Sequence, residues 1–151
     1  MRKSLIYLLI IFGAAFLLRI FLYKTGTFYL DVNSFIAWSD TLVKGSFRNF
    51  YPSVWSDYLP GYLYVLWLLG KIRETLPLDE LLLFKLPAIL ADLTTGFLIY
   101  QVVKKIKGEK LALISASFYL FNPAIIANST LWGQIDSLTA LFFLLSIYLI
   151  K

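Results

Sequence analysis

The sequence contains no cysteine and no histidine. The first absence excludes disulfides, thiolate nucleophiles and zinc–thiolate sites. The second excludes Ser-His-Asp triads, imidazole metal ligands and the commonest general base. Acid–base chemistry therefore falls to Asp, Glu, Lys or Tyr. Charge is also scarce: charged residues make up 15% of the 151, and hydrophobic residues 60%. Globular domains run at about 25% charged and about 45–50% apolar. A soluble domain of this length cannot bury so much apolar surface, so the chain reads as an integral membrane protein. The net charge of +5 raises nucleic acid as a partner. The basic residues, however, flank apolar segments and form no patch. No nucleic-acid partner is expected, and membrane orientation accounts for the charge. Internal repeats and low-complexity stretches are lacking too.

What is present is a series of apolar segments around one long polar stretch. Arg2 and Lys3 precede an apolar run of 19 residues, 5–23, interrupted only by Arg19. A span needs about 20 residues. The run is too long for a signal-peptide core, and no small-x-small cleavage site follows. A retained helix with its N-terminus cytoplasmic is expected. In residues 31–43, Val32, Phe35, Ile36, Leu42 and Val43 recur at helical spacing, opposite Asn33, Asp40, Thr41 and Lys44. This predicts an amphipathic helix too polar to span, lying on the membrane. Gly45 ends it, and residues 47–58 read as an aromatic loop suited to the headgroup level.

Residues 61–72 decide the topology. They are apolar but number only 12, which suits a re-entrant or interfacial helix better than a span. If they crossed, Lys104, Lys105, Lys107 and Lys110 would lie outside. If they do not, helix 81–105 runs inward, the lysines are cytoplasmic, 111–127 runs outward and 137–150 returns. Length and charge both favour the second arrangement. The expected fold class is thus an all-α membrane protein of the cell membrane. It has four transmembrane helices, with juxtamembrane amphipathic helices in a long first outer loop, 24–80. Asp31, Asp57 and Asp136 then share the outer side. Because Lys151 follows directly on an apolar helix, residues 1–151 are expected to be a single membrane domain. It would be the N-terminal part of a larger protein, or a small subunit that needs partners.

Several residues could carry chemistry. Asp31 can be a helix N-cap, for which Asp is among the best residues. An ionised carboxylate beside an outer cavity can equally take a proton from a hydroxyl, and the two roles are compatible. Trp132-Gly133-Gln134-Ile135-Asp136-Ser137, preceded by Phe121-Asn122-Pro123, falls in a short outer turn. A turn needs polar residues and Asp136 could cap the last helix, yet Trp, Gln and Asp together exceed what a connection requires. Ser56-Asp57-Tyr58-Leu59-Pro60-Gly61 reads first as a Pro-Gly turn with a polar cap. Charges inside spans cost about 2.5–3.5 kcal/mol at the bilayer centre. Arg19 and Lys85 each fall about one turn below the outer face. Snorkelling accounts for either alone, and together they could bind a lipid phosphate. Asp92, about 10 Å along the helix axis from Lys85, reads as a hydrogen-bonding anchor. Asn128-Ser129-Thr130 has the form of a glycosylation sequon but lies very close to the membrane.

The order of these motifs is itself informative. Asp31 follows the first span, and Asp57-Tyr58-Leu59-Pro60-Gly61 precedes an interfacial helix. KLPAILAD, residues 85–92, opens a span, and Phe121-Asn122-Pro123 leads to WGQIDS, residues 132–137. Over residues 15–150 the set resembles the N-terminal module of the GT-C glycosyltransferases, membrane enzymes that use polyprenyl-phosphate sugars, in its mannosyltransferase-like form. The resemblance implies that Asp31 is the general base that deprotonates an acceptor hydroxyl. The hydroxyl attacks the anomeric carbon, and the lipid phosphate leaves with inversion. It implies that Trp132, Gln134 and Asp136 line the sugar or acceptor pocket, and that Asp57 and Tyr58 bind substrate ahead of the interfacial helix. Members often carry two prolines there, where this chain has Leu59 before Pro60. Members also have further spans that help bind the donor, which implies a missing C-terminal half or a partner subunit. Some relatives use a metal. The carboxylates could hold Mg²⁺ or Mn²⁺, but no spacing demands it. Two other classes fit the composition: a non-catalytic membrane subunit or truncated paralogue, and a small transporter with Arg19, Lys85 and Asp92 along its path.

Overall fold

A computed structural model describes residues 2–150. Among the described residues the protein is 83% helical with no strand. The α-helices are α1 (Arg2–Leu22), α2 (Tyr29–Lys44), α3 (Phe47–Ser53), α4 (Pro60–Thr75), α5 (Glu80–Lys107), α6 (Glu109–Leu120), α7 (Pro123–Ile126) and α8 (Asp136–Leu149). A π-helix, Ala127–Trp132, continues α7. The chain divides into two compact units. One contains the residues up to Thr27 and those from Lys85 onward, and the other is Phe28–Phe84.

In the first unit, α1 lies against α6 and the π-helix, and α8 also meets the π-helix. Ala112 and Ala116, one turn apart on α6, are fully buried against Tyr100 of α5. Small side chains at this spacing let helices approach closely. Leu8, Val103 and Leu113 complete the cluster. Leu9, Leu17 and Phe21 of α1 and Phe142, Phe143 and Leu149 of α8 are exposed. In hydrocarbon such a face carries no penalty, because lipid tails are as apolar as leucine.

Two helices, Ser4–Leu22 and Glu80–Lys107, are long and apolar enough to cross a membrane. A third crossing is formed if Glu109–Leu120 and Pro123–Trp132 count as one span bent by 45°. The uninterrupted helix expected over 111–127 is therefore corrected. Pro123 supplies no N–H and disfavours helical geometry at the residue before it. The Asn122 side chain instead caps α7 by accepting from the Ala124 N–H at 2.9 Å. The expected fourth span, α8, has 14 residues. At 1.5 Å per residue this is about 21 Å, short of a straight crossing of a core about 30 Å thick.

In the second unit, α2 packs along α4. Val32, Phe35, Ser39 and Leu42 are buried at spacings of one turn, facing Leu63, Leu66, Leu69 and Gly70. The Ser39 hydroxyl donates to the Leu66 carbonyl at 2.9 Å. Arg73, near the end of α4, pairs with Asp40 and with Glu80. Residues 47–58 are not all loop as expected. Phe47–Ser53 is helical despite Pro52, with Phe50 fully buried. Gly70 sets the closeness of the α2–α4 crossing. A Cβ there would lie 2.4 Å from Ser39 Oγ and 2.6 Å from Val43 Cγ2. Gly70→Ala is expected to destabilise this unit by about 1–3 kcal/mol through overpacking. The check is a lower thermal-unfolding midpoint by circular dichroism in detergent, and an unchanged midpoint would show that the crossing can widen.

Candidate functional site

Asp31 is the third residue of α2, which begins two residues earlier than the sequence suggests. The N-cap position belongs to Phe28, with no side-chain cap bond, so the capping role expected of Asp31 is not the one it takes. It lies half-buried in the first turn, where the positive end of the helix dipole favours a carboxylate by about 0.3–1 kcal/mol. The segment before α4 is held by its tyrosines. The Tyr51 hydroxyl donates to the Tyr58 carbonyl at 2.7 Å, and the Tyr58 N–H donates to Ser56 Oγ at 3.2 Å. The Tyr58 ring lies 5.4 Å from both Phe35 and Trp38 and 5.7 Å from Tyr62. Tyr58 is thereby fixed, while its neighbour Asp57 is exposed. Burial, with Tyr58 beside it, pushes the Tyr62 hydroxyl above its ordinary range. Tyr62 therefore stays neutral and is no candidate base.

In the first unit, the turn carrying Trp132, Gln134 and Asp136 hangs from one residue, Asn128. Its carbonyl accepts the N–H groups of Gly133 and Gln134 at 3.1 and 3.0 Å. Its side-chain amide donates to Asp136 Oδ2 at 3.1 Å. Gly133 ends the π-helix in the left-handed region, φ 98° and ψ 21°, a conformation glycine adopts without a Cβ clash. The turn presents Trp132 and Asp136 as exposed side chains, with Gln134 half-buried between them. Asp136 is the first residue of α8 rather than its cap, which is Ile135.

The charges inside the helices are arranged differently from the sequence expectation. Arg19 is fully buried and points to Asp92, with Nη2 and Nε at 3.2 and 3.4 Å from Oδ2, while Nη1 donates to the Ala15 carbonyl at 3.1 Å. Ser129 of the π-helix donates to the same Asp92 oxygen at 2.5 Å. Lys85 is also fully buried. Its ammonium faces the carbonyls of Tyr23, Thr130 and Leu131 and the hydroxyl of Thr27, all between 2.7 and 2.9 Å. The expected lipid-phosphate pair, Arg19 and Lys85, is thus committed to internal acceptors. What Arg19 and Lys85 do is bind the ends of α1 and the π-helix to α5. Asp92, on which a transport path would depend, is buried and paired. Its role as a hydrogen-bonding anchor is the one seen.

This arrangement offers two polar presentations. One is the half-buried Asp31 with the Asp57–Tyr58 segment, and the other is the exposed turn 132–136. No group of three or more Asp or Glu side chains converges on a common point among the described residues. Sequence reasoning missed Asn128 and Ser129, which hold the turn. The available signal was the polar triplet Asn128-Ser129-Thr130 within an apolar stretch, here serving as an internal scaffold. A family model described as dolichyl-phosphate-mannose-protein mannosyltransferase matches residues 57–151. No curated protein and no solved structure matches the chain.

Proposed function

Because the chain belongs to the dolichyl-phosphate-mannose-protein mannosyltransferase family, we propose that it acts in transfer of a hexose, mannose in the first instance, from a polyprenyl-phosphate donor to an acceptor hydroxyl at the outer membrane face. The family match over 57–151 carries the reading. It includes Asp57, Tyr58, Trp132, Gln134 and Asp136. Asp31 precedes it and rests on the motif order and on its place in the first turn of α2.

The reaction uses one base. The Asp31 carboxylate takes the proton of the acceptor hydroxyl. The hydroxyl oxygen bonds to the anomeric carbon, the bond from that carbon to the phosphate oxygen breaks, and polyprenyl phosphate leaves with the electron pair. The residues assigned to sugar and acceptor are Asp57 and Tyr58 in the second unit and Trp132, Gln134 and Asp136 in the first. The aromatic rings of Tyr58 and Trp132 suit sugar faces, and the carboxylates suit hydroxyls. The N-terminus is cytoplasmic, α2 to α4 lie in the outer loop, and further helices from the same chain or a partner complete the donor site. The exposed faces of α1 and α8 would meet lipid and partner helices alike, so they do not favour a purely docking role. The test is sugar transfer from a panel of polyprenyl-phosphate sugars in membranes bearing the protein in its native gene context. Mannosyl transfer above that of membranes lacking the protein is expected. Its absence for every donor, with the protein present and folded, would overturn the reading.

A further inference from the structure

An open groove with a volume of about 1530 Å³ runs between α1 and α6. Ile11 of α1 and Ile114 and Phe118 of α6 form its walls. Leu8 and Leu113, packed on Tyr100, close its floor. From Lys110 to Leu120 the helix rises about 15 Å, the depth of one leaflet in a hydrocarbon core about 30 Å thick. The volume exceeds the roughly 300–1,000 Å³ of a compact small-molecule pocket, and the groove's long open side suits a chain rather than a ring. Its two ends differ. Asn122 and Pro123 stand at one. Lys104, Glu109 and Lys110 stand at the other, with Lys105 and Lys107 adjacent in sequence.

The lysine end is cationic on balance. Lys104 donates to Glu109 Oε2 at 2.8 Å and to the Tyr100 hydroxyl at 3.0 Å. Tyr100 in turn donates to Glu109. The single carboxylate is therefore satisfied within the protein. An ammonium has three donors, so Lys104 retains one, and Lys110 is exposed beside it. Lys105 turns away to the Tyr148 hydroxyl at 2.8 Å. Basic side chains at the mouth of an apolar crevice between membrane helices are the arrangement that holds an anionic lipid headgroup. We propose that this groove binds one anionic phospholipid, its phosphate at Lys104 and Lys110 and an acyl chain along Leu113, Ile114 and Phe118. The headgroup end is the end of α6 away from the Phe121–Asn122 break, so this site is separate from the one proposed for the sugar donor.

The experiment reconstitutes the protein in nanodiscs of equimolar phosphatidylglycerol and phosphatidylcholine and counts retained lipid by native mass spectrometry. Wild type is expected to keep one phosphatidylglycerol in preference to phosphatidylcholine. A basic side chain near a membrane surface favours anionic lipid by about fivefold, so Lys110→Gln lowers the preference about fivefold, and Lys104→Gln/Lys110→Gln about 25-fold. Should loss of the Glu109 pair disturb folding of the double variant, Ile114→Trp decides. It leaves both lysines in place, puts an indole in the path of the acyl chain, and is expected to lower retention with helicity unchanged. Equal retention of the two lipids by wild type, no retained lipid, or undiminished retention in Lys110→Gln and Ile114→Trp would each overturn the proposal.

Discussion

Asp31→Asn is expected to lower sugar transfer by about 10²–10⁴-fold, the usual contribution of a positioned general base. The substitution keeps the side chain's size and removes its negative charge, and with it the capacity to accept a proton. Half-buried in the first turn of α2, the amide loses the carboxylate's favourable interaction with the helix dipole, about 0.3–1 kcal/mol. That loss is far too small to unfold the unit. Activity and stability therefore separate. The rate at saturating acceptor collapses, while the unfolding midpoint moves by a few degrees at most. Asp31→Glu keeps the chemistry but shifts it by one methylene, and its rate should fall between the two. A rate for Asp31→Asn within threefold of wild type would exclude Asp31 as the base.

Asp92→Leu is expected to have the largest effect on stability. Among the described residues it leaves the fully buried Arg19 guanidinium bonded only to the Ala15 carbonyl, and it takes away the nearer of two acceptors of the Ser129 hydroxyl, the other being the Ile125 carbonyl. Removing one partner of a buried ion pair costs about 3–5 kcal/mol. The double variant Arg19→Met/Asp92→Leu removes both charges and is expected to recover most of that loss, since an apolar replacement of a whole buried pair is often neutral. Unfolding of the two singles and the double in detergent measures the coupling. If the double is no more stable than Asp92→Leu alone, the pair is not the source of the loss.

The two substitutions also mark what could be read from the sequence. Periodicity and length placed most helices to within a few residues, because an apolar face at helical spacing and a long apolar run are local signals. Pro123 was visible as well, but 111–127 was read through it. The bend follows from chemistry already present in Asn122-Pro123. α3 was hidden for another reason. Seven residues containing a proline have little helical tendency of their own, and it is the burial of Phe50 that holds them. The pairing of Arg19 with Asp92 was out of reach. Sequence spacing relates Lys85 to Asp92 along one helix, while the contact that matters joins residues 73 positions apart. For the turn 132–136, the exposed side chains were legible and the scaffold beneath them was not. Asn128 contributes through its carbonyl as much as its side chain, and a carbonyl has no signature in a sequence.

The lysine clamp has a consequence for how the chain can vary. The chain leaves the first unit at Thr27 and rejoins it at Lys85. The Lys85 ammonium bonds both the Thr27 hydroxyl and the Tyr23 carbonyl, at 2.9 and 2.7 Å. Exit and return are thus stitched together by one side chain, and the 57 residues between them have the standing of an insert. Inserts whose ends meet on a host are exchanged and resized with little effect on it, since loop closure costs only about 0.6 kcal/mol for each doubling of length. Changes in the length of residues 28–84 are accordingly expected to leave the apolar scaffold as it is, provided the first turn of α2 and residues 57–58 are kept.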